Sequence, residues 1–485
     1  MRARRFGAVD WVLLLILGGL AIRVWCSNLT ESLDLDETLT AFAAKYGVNH
    51  PSLDAAPGVR QTLYYPLVRL VHDWFGFSEL GLRLPSLLMS LASLFLLWRL
   101  AARLIHPDAG WIAVFLYFVP RSYALQATGA RPYAPGMLST ITAAWFLIRF
   151  LDAPRRREFA AGFCLCAVVL GWTQFLLTPV LAVFGVYAIV RLVRGETQAS
   201  WTSLLWMAGG VLIGLTPLAT GLVGLADEAQ THIFAEAPSF GELVRALQLP
   251  AVGAVSAISW LVSRVLRGSG APTLRSDQVL IAAWWLGPPL LLWLLAQTAE
   301  VNLFVPRYFA TAAAGMALAG AYAAAASIPA SYLRHTGAVL GVAILVLSFV
   351  KAPPSREASW RDAAKLVSQW SSTPSVILCP SGFIEAQPPE WSETYSLPGF
   401  LYAPLDAYPV PGDRLLLPTR EARQPVELVE ARVRTAAARG ESILIYGGAS
   451  AAGFWVEWLD DHAELAGWHR EVKMFGSVTA ARYSK

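Results

Sequence analysis

Residues 8–41 read AVDWVLLLILGGLAIRVWCSNLTESLDLDETLTA, and their order decides the class of the fold. The apolar run over 8–26 is long enough to cross a bilayer, which takes roughly 20 residues. Arg2, Arg4 and Arg5 precede it, and three carboxylates in four residues, Asp34, Asp36 and Glu37, follow it. The run has a basic flank but no small-residue cleavage site after it, so we read it as a retained span rather than a signal peptide.

The rest of the chain repeats this apolar habit. Of 485 residues, 55% are hydrophobic and 15% charged, against about 25% charged in soluble domains. Further apolar runs lie near 84–104, 110–127, 133–151, 159–174, 176–194, 203–225, 250–266, 278–298, 308–328 and 335–350. The long stretch over 159–194 is divided at Gln174, ahead of Thr178-Pro179. Many of the 19 tryptophans stand near the ends of these runs, where interfacial anchors belong. A net charge of +4 does not imply a nucleic-acid partner. The four cysteines, Cys26, Cys164, Cys166 and Cys379, form no zinc or disulfide framework. The chain reads as a polytopic α-helical membrane protein of about eleven spans.

Basic residues fix an orientation. With the N-terminus inside, the next inside segments carry Arg99 and Arg103, then Arg149 and Arg155–Arg157, then Arg191 and Arg194. Arg264, Arg267, Arg275 and Arg334 continue the pattern, whereas the opposite loop over 226–249 holds only Arg245. Residues 27–83 form a long outside loop. Its segment Leu63–Phe75 is amphipathic, suited to lying in the membrane interface. After Val350 the composition turns polar and Pro-rich, so we divide the chain into a transmembrane domain, 1–350, and an extracytoplasmic α/β domain, 351–485. In the second, helices are expected over Glu357–Ser371, Pro425–Arg439 and Ala451–Leu465, and strands over Ser375–Cys379, Arg414–Leu417, Ser442–Tyr446 and Ser477–Tyr483.

Two groups of residues could carry chemistry. Crowded carboxylates at a membrane surface repel one another, which raises the affinity of at least one for a proton, a cation or a basic partner. One of them could deprotonate an acceptor hydroxyl. Equally, Asp34 could cap a helix with Glu37 three residues on. The second group pairs outside cations with aromatics: Arg60 before Tyr64-Tyr65, Arg131-Pro132-Tyr133, and Arg307-Tyr308. Guanidinium groups bind phosphate in a bidentate fashion, although arginines at span ends also snorkel to headgroups. Gln174, at the turn between two spans, could line a cavity or simply close a hairpin. No Walker loop, dinucleotide fingerprint or zinc-protease helix motif occurs.

These pieces resemble the polyprenyl-phosphate-sugar-dependent glycosyltransferases of the GT-C superfamily, in the branch of bacterial protein O-mannosyltransferases and aminoarabinose transferases. Asp36-Glu37, within Leu35–Ala41, resembles that family's outside Asp-Glu pair. Phe75-Gly76, Glu79 and Arg83-Leu84-Pro85-Ser86 are similar to a second motif, Arg131-Pro132-Tyr133-Ala134 to a third and Arg307-Tyr308 to a fourth. Trp360-Arg361-Asp362-Ala363-Ala364 resembles the entry to the family's soluble domain. The chain departs from many relatives at Gln126–Ala130, at Trp172–Phe175 and at Gln61–Tyr64.

The resemblance implies a multi-pass enzyme of the bacterial cytoplasmic membrane, moving a sugar from a polyprenyl-phosphate donor to a lipid, glycan or protein hydroxyl outside. Asp36 would be the base and Glu37 its support. Arg131, Arg307 and Arg60 would hold phosphate; Tyr64, Tyr133, Tyr308 and Gln174 would shape the cavity. Neither cofactor nor metal is expected, because arginines can neutralise the phosphate even though three carboxylates could seat a cation. Inversion is expected, since no second nucleophile is evident. A transporter or flippase of a lipid or small anion, or a non-catalytic scaffold, stands as the alternative.

Overall fold

The computed structural model describes residues 7–55, 62–231, 237–249, 252–257, 261, 275–298, 303–328, 331–351, 358–383, 399–419 and 423–485. Helix α1, Ala8–Trp25, leads through a short 3-10 turn to α2, Leu35–Tyr46, and α3, Tyr64–Phe75. Then come α4 (Glu79–Leu104), α5 (Ala109–Leu116), α6 (Arg121–Thr128), α7 (Tyr133–Asp152), α8 (Arg157–Thr173) and α9 (Val180–Val193). The long α10 (Trp201–Thr231), the short α11 (Phe240–Ala246), α12 (Ser276–Thr298), α13 (Ala312–Ser327) and α14 (Ser331–Lys351) complete the helical part.

Among the described residues six helical segments are long and apolar enough to cross a membrane: Ala8–Asn28, Glu79–Leu104, Tyr133–Asp152, Phe175–Val193, Trp201–Leu218 and Ser276–Thr298. Ala312–Ala326 is apolar but shorter. The span expected over 250–266 falls largely outside the described residues. The run over 110–127 departs from expectation, forming two eight-residue helices, α5 and α6, instead of one span. Pro120 is the cause: it has no N–H for the carbonyl one turn back, and it pushes the preceding residue out of helical geometry. The chain tightens before the break, with Phe118 N–H on the Phe115 carbonyl and Val119 N–H on that of Leu116.

The bundle closes around one apolar core that includes Leu97, Leu100, Tyr133, Phe184, Trp284 and Ala317. The Ala-rich α13 packs directly on α12, where a Cβ at Gly315 would lie 2.4 Å from the Trp285 amide nitrogen. Small residues are what let two helix backbones approach so closely. At the ends predicted to be inside, basic residues find acidic partners: Arg103 and Arg191 share Asp152, and Arg334 pairs with the buried Asp108 at 2.9 Å. Helix α3 buries Tyr64, Tyr65 and Val68 and leaves Trp74 74% exposed beside Phe75. That is the amphipathic pattern the sequence predicts.

The C-terminal part holds α15 (Trp360–Trp370), β1 (Ser375–Pro380), α16 (Ala403–Ala407), β2 (Asp413–Leu417), α17 (Arg423–Arg439), β3 (Ser442–Gly448), α18 (Ala449–Asp460), β4 (His469–Phe475) and β5 (Val478–Ser484). The sheet order is β2-β1-β3-β5-β4, parallel over the first three strands and antiparallel where β5 joins β3 and β4. Alternate side chains divide it between two cores. Val376, Leu378, Ile443 and Ile445 pack against Val429 and Val433 of α17 and Trp455 of α18. Ile377, Cys379, Leu444 and Tyr446 face the other way, towards α15. This second core is not confined to the C-terminal part, because Leu33, Leu39, Phe42 and Tyr64, from the segment between α1 and α4, belong to it.

Candidate active site

The acidic stretch does two jobs in one turn of helix. Asp34 caps α2: its Oδ1 accepts from Glu37 N–H at 2.8 Å, and Glu37 Oε2 accepts from Asp34 N–H at 3.1 Å. This reciprocal capping box starts the helix where the charges would otherwise repel. Glu37 is fully buried and meets the equally buried Arg83, which donates from Nε to Oε1 at 2.9 Å and from Nη2 to Oε2 at 2.5 Å. The rest of the Arg83 guanidinium is spent on carbonyls of Asn28, Leu29, Glu31 and Ser32. Arg83 therefore gathers the loop between α1 and α2 around one buried charge pair.

Glu37 also aims the next segment. Its Oε1 accepts from Ala130 N–H at 2.7 Å, and Thr40 Oγ1 donates to the Ala130 carbonyl at 2.6 Å. With both polar groups of Ala130 held from α2, Arg131 projects back over the start of that helix. Its Nη1 donates to the Asp36 carbonyl at 3.1 Å and to the Tyr65 hydroxyl at 3.3 Å, and its Nη2 lies 3.6 Å from Asp36 Oδ2. From the far side of the sequence, Arg307 Nη1 donates to the same Oδ2 at 2.8 Å. Arg307 sits on the 3-10 turn Pro306–Phe309, and its guanidinium lies 5.4 Å from the Tyr308 ring centroid.

The result is a carboxylate between two guanidinium groups. Asp36 keeps 32% of its side chain exposed, Arg131 15% and Arg307 36%. Burial is the largest single influence and disfavours both cations, but Asp36 and the neighbouring tyrosines together outweigh it, so both pKa values are raised, that of Arg131 strongly. Both arginines stay charged at any working pH. The trio carries one positive charge in excess, and the Nε atoms of both arginines are buried without a hydrogen-bond partner among the described residues. Such a group is suited to an anion.

The other expected site residues divide. Tyr133 is buried against this cluster and Tyr308 lies under Arg307. Tyr64 points elsewhere, its hydroxyl 2.8 Å from Ser86 Oγ, and burial pushes its pKa up; its neighbour Tyr65 is the tyrosine that meets Arg131. Gln174 is half-buried and ends α8, with Thr62 Oγ1 and Leu63 N–H fastening the chain ahead of α3 to the adjacent carbonyls of Thr173 and Trp172. Arg60 lies outside the described residues. Arg83 and Tyr65, quoted above within motifs but given no role there, are the residues that the structure adds to the candidate site.

Residues 62–223 match the family model described as dolichyl-phosphate-mannose-protein mannosyltransferase, about a third of the chain. No curated protein matches the sequence. Among solved structures, ArnT from Cupriavidus metallidurans bound to undecaprenyl phosphate aligns over 98% of both chains with TM-score 0.57 at 13% identity. The apo state of that protein aligns with TM-score 0.44 at 14% identity over 98% of both chains. The arabinofuranosyltransferase AftD from Mycobacteria aligns with TM-score 0.47 at 14% identity, over 91% of this chain and 37% of its own. The first alignment establishes a shared fold along the whole chain. With the family-model match, it supports the GT-C resemblance drawn from the motifs.

Proposed function

We propose that this multi-pass membrane protein is a glycosyltransferase that moves a sugar from a polyprenyl-phosphate donor to a hydroxyl acceptor on the outer face of the bacterial cytoplasmic membrane. One observation carries the proposal: Asp36, on the first outside helix, lies between Arg131 and Arg307 from two other outside segments. The family-model match and the fold shared with ArnT bound to undecaprenyl phosphate support the class of donor.

The arrangement suggests a mechanism of exchange. Without donor, Asp36 occupies the two guanidinium groups. A donor phosphate is the stronger bidentate partner and takes them over, which frees Asp36 from the charges that suppress its basicity. The acceptor oxygen then attacks the anomeric carbon while Asp36 takes the hydroxyl proton. The carbon–oxygen bond to phosphate breaks, and polyprenyl phosphate leaves with the electron pair, held by Arg131 and Arg307. One displacement inverts the anomeric centre. Fixed cations at a developing phosphate charge, shielded from water, contribute several kcal/mol. No metal is needed for this step. The interfacial α3 brings Tyr65 to the same site from the membrane surface, where a lipid-linked donor must arrive.

The test is a mass comparison of envelope glycans and glycolipids from a deletion strain complemented with the wild type or with Asp36→Asn. A sugar-mass increment present only with wild type supports transfer and names the sugar and acceptor together. Identical profiles at equal expression would reject it and favour transport.

A further inference from the structure

A cavity of about 310 Å3 is lined in part by Tyr123, Glu242, Arg245, Gln248, Phe304 and Phe309, and also by Pro306, the chain neighbour of Arg307. Its size is at the small end of the range for small-molecule sites, about 300–1,000 Å3. Its walls come from segments that lead to the two cations in the chain. Tyr123 is on α6, which runs through Gly129 and Ala130 into Arg131, and Phe309 ends the turn that holds Arg307. The Phe304 and Phe309 rings lie 5.0 Å apart and form one aromatic wall.

The lining residues Glu242, Arg245 and Gln248, from α11 and its C-terminal end, are polar, and their segment is held in place. Glu242 is the third residue of α11, where its Oε2 accepts from Ser239 N–H at 2.6 Å and Ser239 Oγ at 3.0 Å. These bonds hold its carboxyl below the usual range, so it is an ionised acceptor. Trp293 Nε1 donates to the Pro238 carbonyl and Trp285 Nε1 to that of Leu247, fastening both ends of the segment to α12. Gln248 has φ +51°, the one non-glycine in the left-handed region among the described residues. Its Nε2 donates to the Arg245 carbonyl at 2.8 Å. Glycine would satisfy that backbone better, and an unfavourable conformation retained at a cavity wall is a pointer to function.

We infer that this cavity is the acceptor subsite of the transferase and takes one uncharged sugar unit of the acceptor. The inference rests on the transferase reading for the word acceptor, but the binding it asserts stands by itself. Aromatic walls suit the apolar C–H face of a sugar ring. A carboxylate, a guanidinium and an amide at one edge supply both acceptors and donors for its hydroxyls. One acidic and one basic group leave no net charge, which disfavours an anion there.

Saturation-transfer NMR on the full-length protein in micelles, with methyl glycosides of glucose, mannose and galactose as probes, tests it without turnover. Wild type is expected to saturate at least one probe. Gln248→Gly relaxes the backbone and removes the amide; Glu242→Gln keeps an N3 cap and removes the charge. Each is expected to cut the signal by about fivefold or more, the ordinary effect of deleting one hydrogen-bonding group, with Gln248→Gly melting no lower than wild type. No saturation with wild type, or equal signals in the variants, overturns the subsite. Loss of signal accompanied by a lower melting temperature in Gln248→Gly also overturns it, because Gln248 would then be structural. Failure of sugar transfer in the envelope comparison would instead reject the transferase reading.

Discussion

Asp36 and Glu37 are neighbours in sequence and opposites in environment. Asp36 reaches the surface between two cations, whereas Glu37 is enclosed with Arg83 and four backbone carbonyls. Their substitutions should therefore fail differently. Glu37→Gln leaves a buried guanidinium without its counter-charge, at a cost of about 3–5 kcal/mol, and is expected to lower the melting temperature and the yield of folded protein. Asp36→Asn is expected to fold and melt like wild type while transfer falls by about a hundredfold or more, the scale of a lost general base. Thermal melts and single-turnover transfer on the two proteins separate the roles. The carboxylate pair was legible in the sequence, and so was the capping box as an alternative to chemistry; the structure contains the box and leaves Asp36 between two arginines. Tyr64 and Tyr65 were not separable by reading. Adjacent helical residues point about 100° apart, and only tertiary packing decides which one meets Arg131.

At the scale of elements, periodicity was a good guide wherever burial was one-sided or complete. The amphipathic α3, the wholly buried β1 and the largely buried β3 stand close to where their patterns put them. Two elements did not follow. Strand β4, His469–Phe475, is an exposed edge whose Arg470, Glu471 and Lys473 hide the alternation, which is how edges are commonly protected. The apolar run over 110–127 looked uniform, but Pro120 divides it. That break frees α6 to run towards Gly129 and Arg131, so Pro120 has a consequence for the site. Pro120→Ala removes the steric bar to a continuous helix. It is expected to displace Arg131 from Asp36 and to weaken binding of undecaprenyl phosphate, by about tenfold for one charge-assisted contact, with little change in melting temperature. Native mass spectrometry of the lipid-bound protein reads this.

Across the whole molecule, the C-terminal sheet and the segment between α1 and α4 share one core, and polar contacts seal the join. Tyr408 accepts from Leu33 N–H at 2.9 Å and donates to Glu79 at 3.0 Å; Arg361 meets Glu79 at 2.7 Å, and Lys45 meets Asp406 at 2.8 Å. The composition change at residue 351 is visible in the sequence, but the shared core is not, because it is made by residues more than 300 positions apart. Residues 358–485 thus hold the loop that carries Asp36, and removing them is expected to prevent accumulation of folded protein. Burial pushes the Tyr408 hydroxyl up to about 12. Its neutral form therefore stabilises the join fully below the ordinary tyrosine value of about 10, and this contribution is lost as pH rises through the folded value. Stability should fall between those two pH values, and less steeply in Tyr408→Phe. Chemical denaturation across that range checks it.

The measurement that reaches the central claim most directly is the affinity for undecaprenyl phosphate of wild type, Asp36→Asn, Arg131→Ala and Arg307→Ala. If phosphate and Asp36 compete for the same two guanidinium groups, Asp36→Asn binds the lipid more tightly than wild type although its transfer is about a hundredfold or more slower, and each arginine variant binds more weakly. Weaker binding by Asp36→Asn, or unchanged binding by both arginine variants, would contradict the exchange and the site built on it.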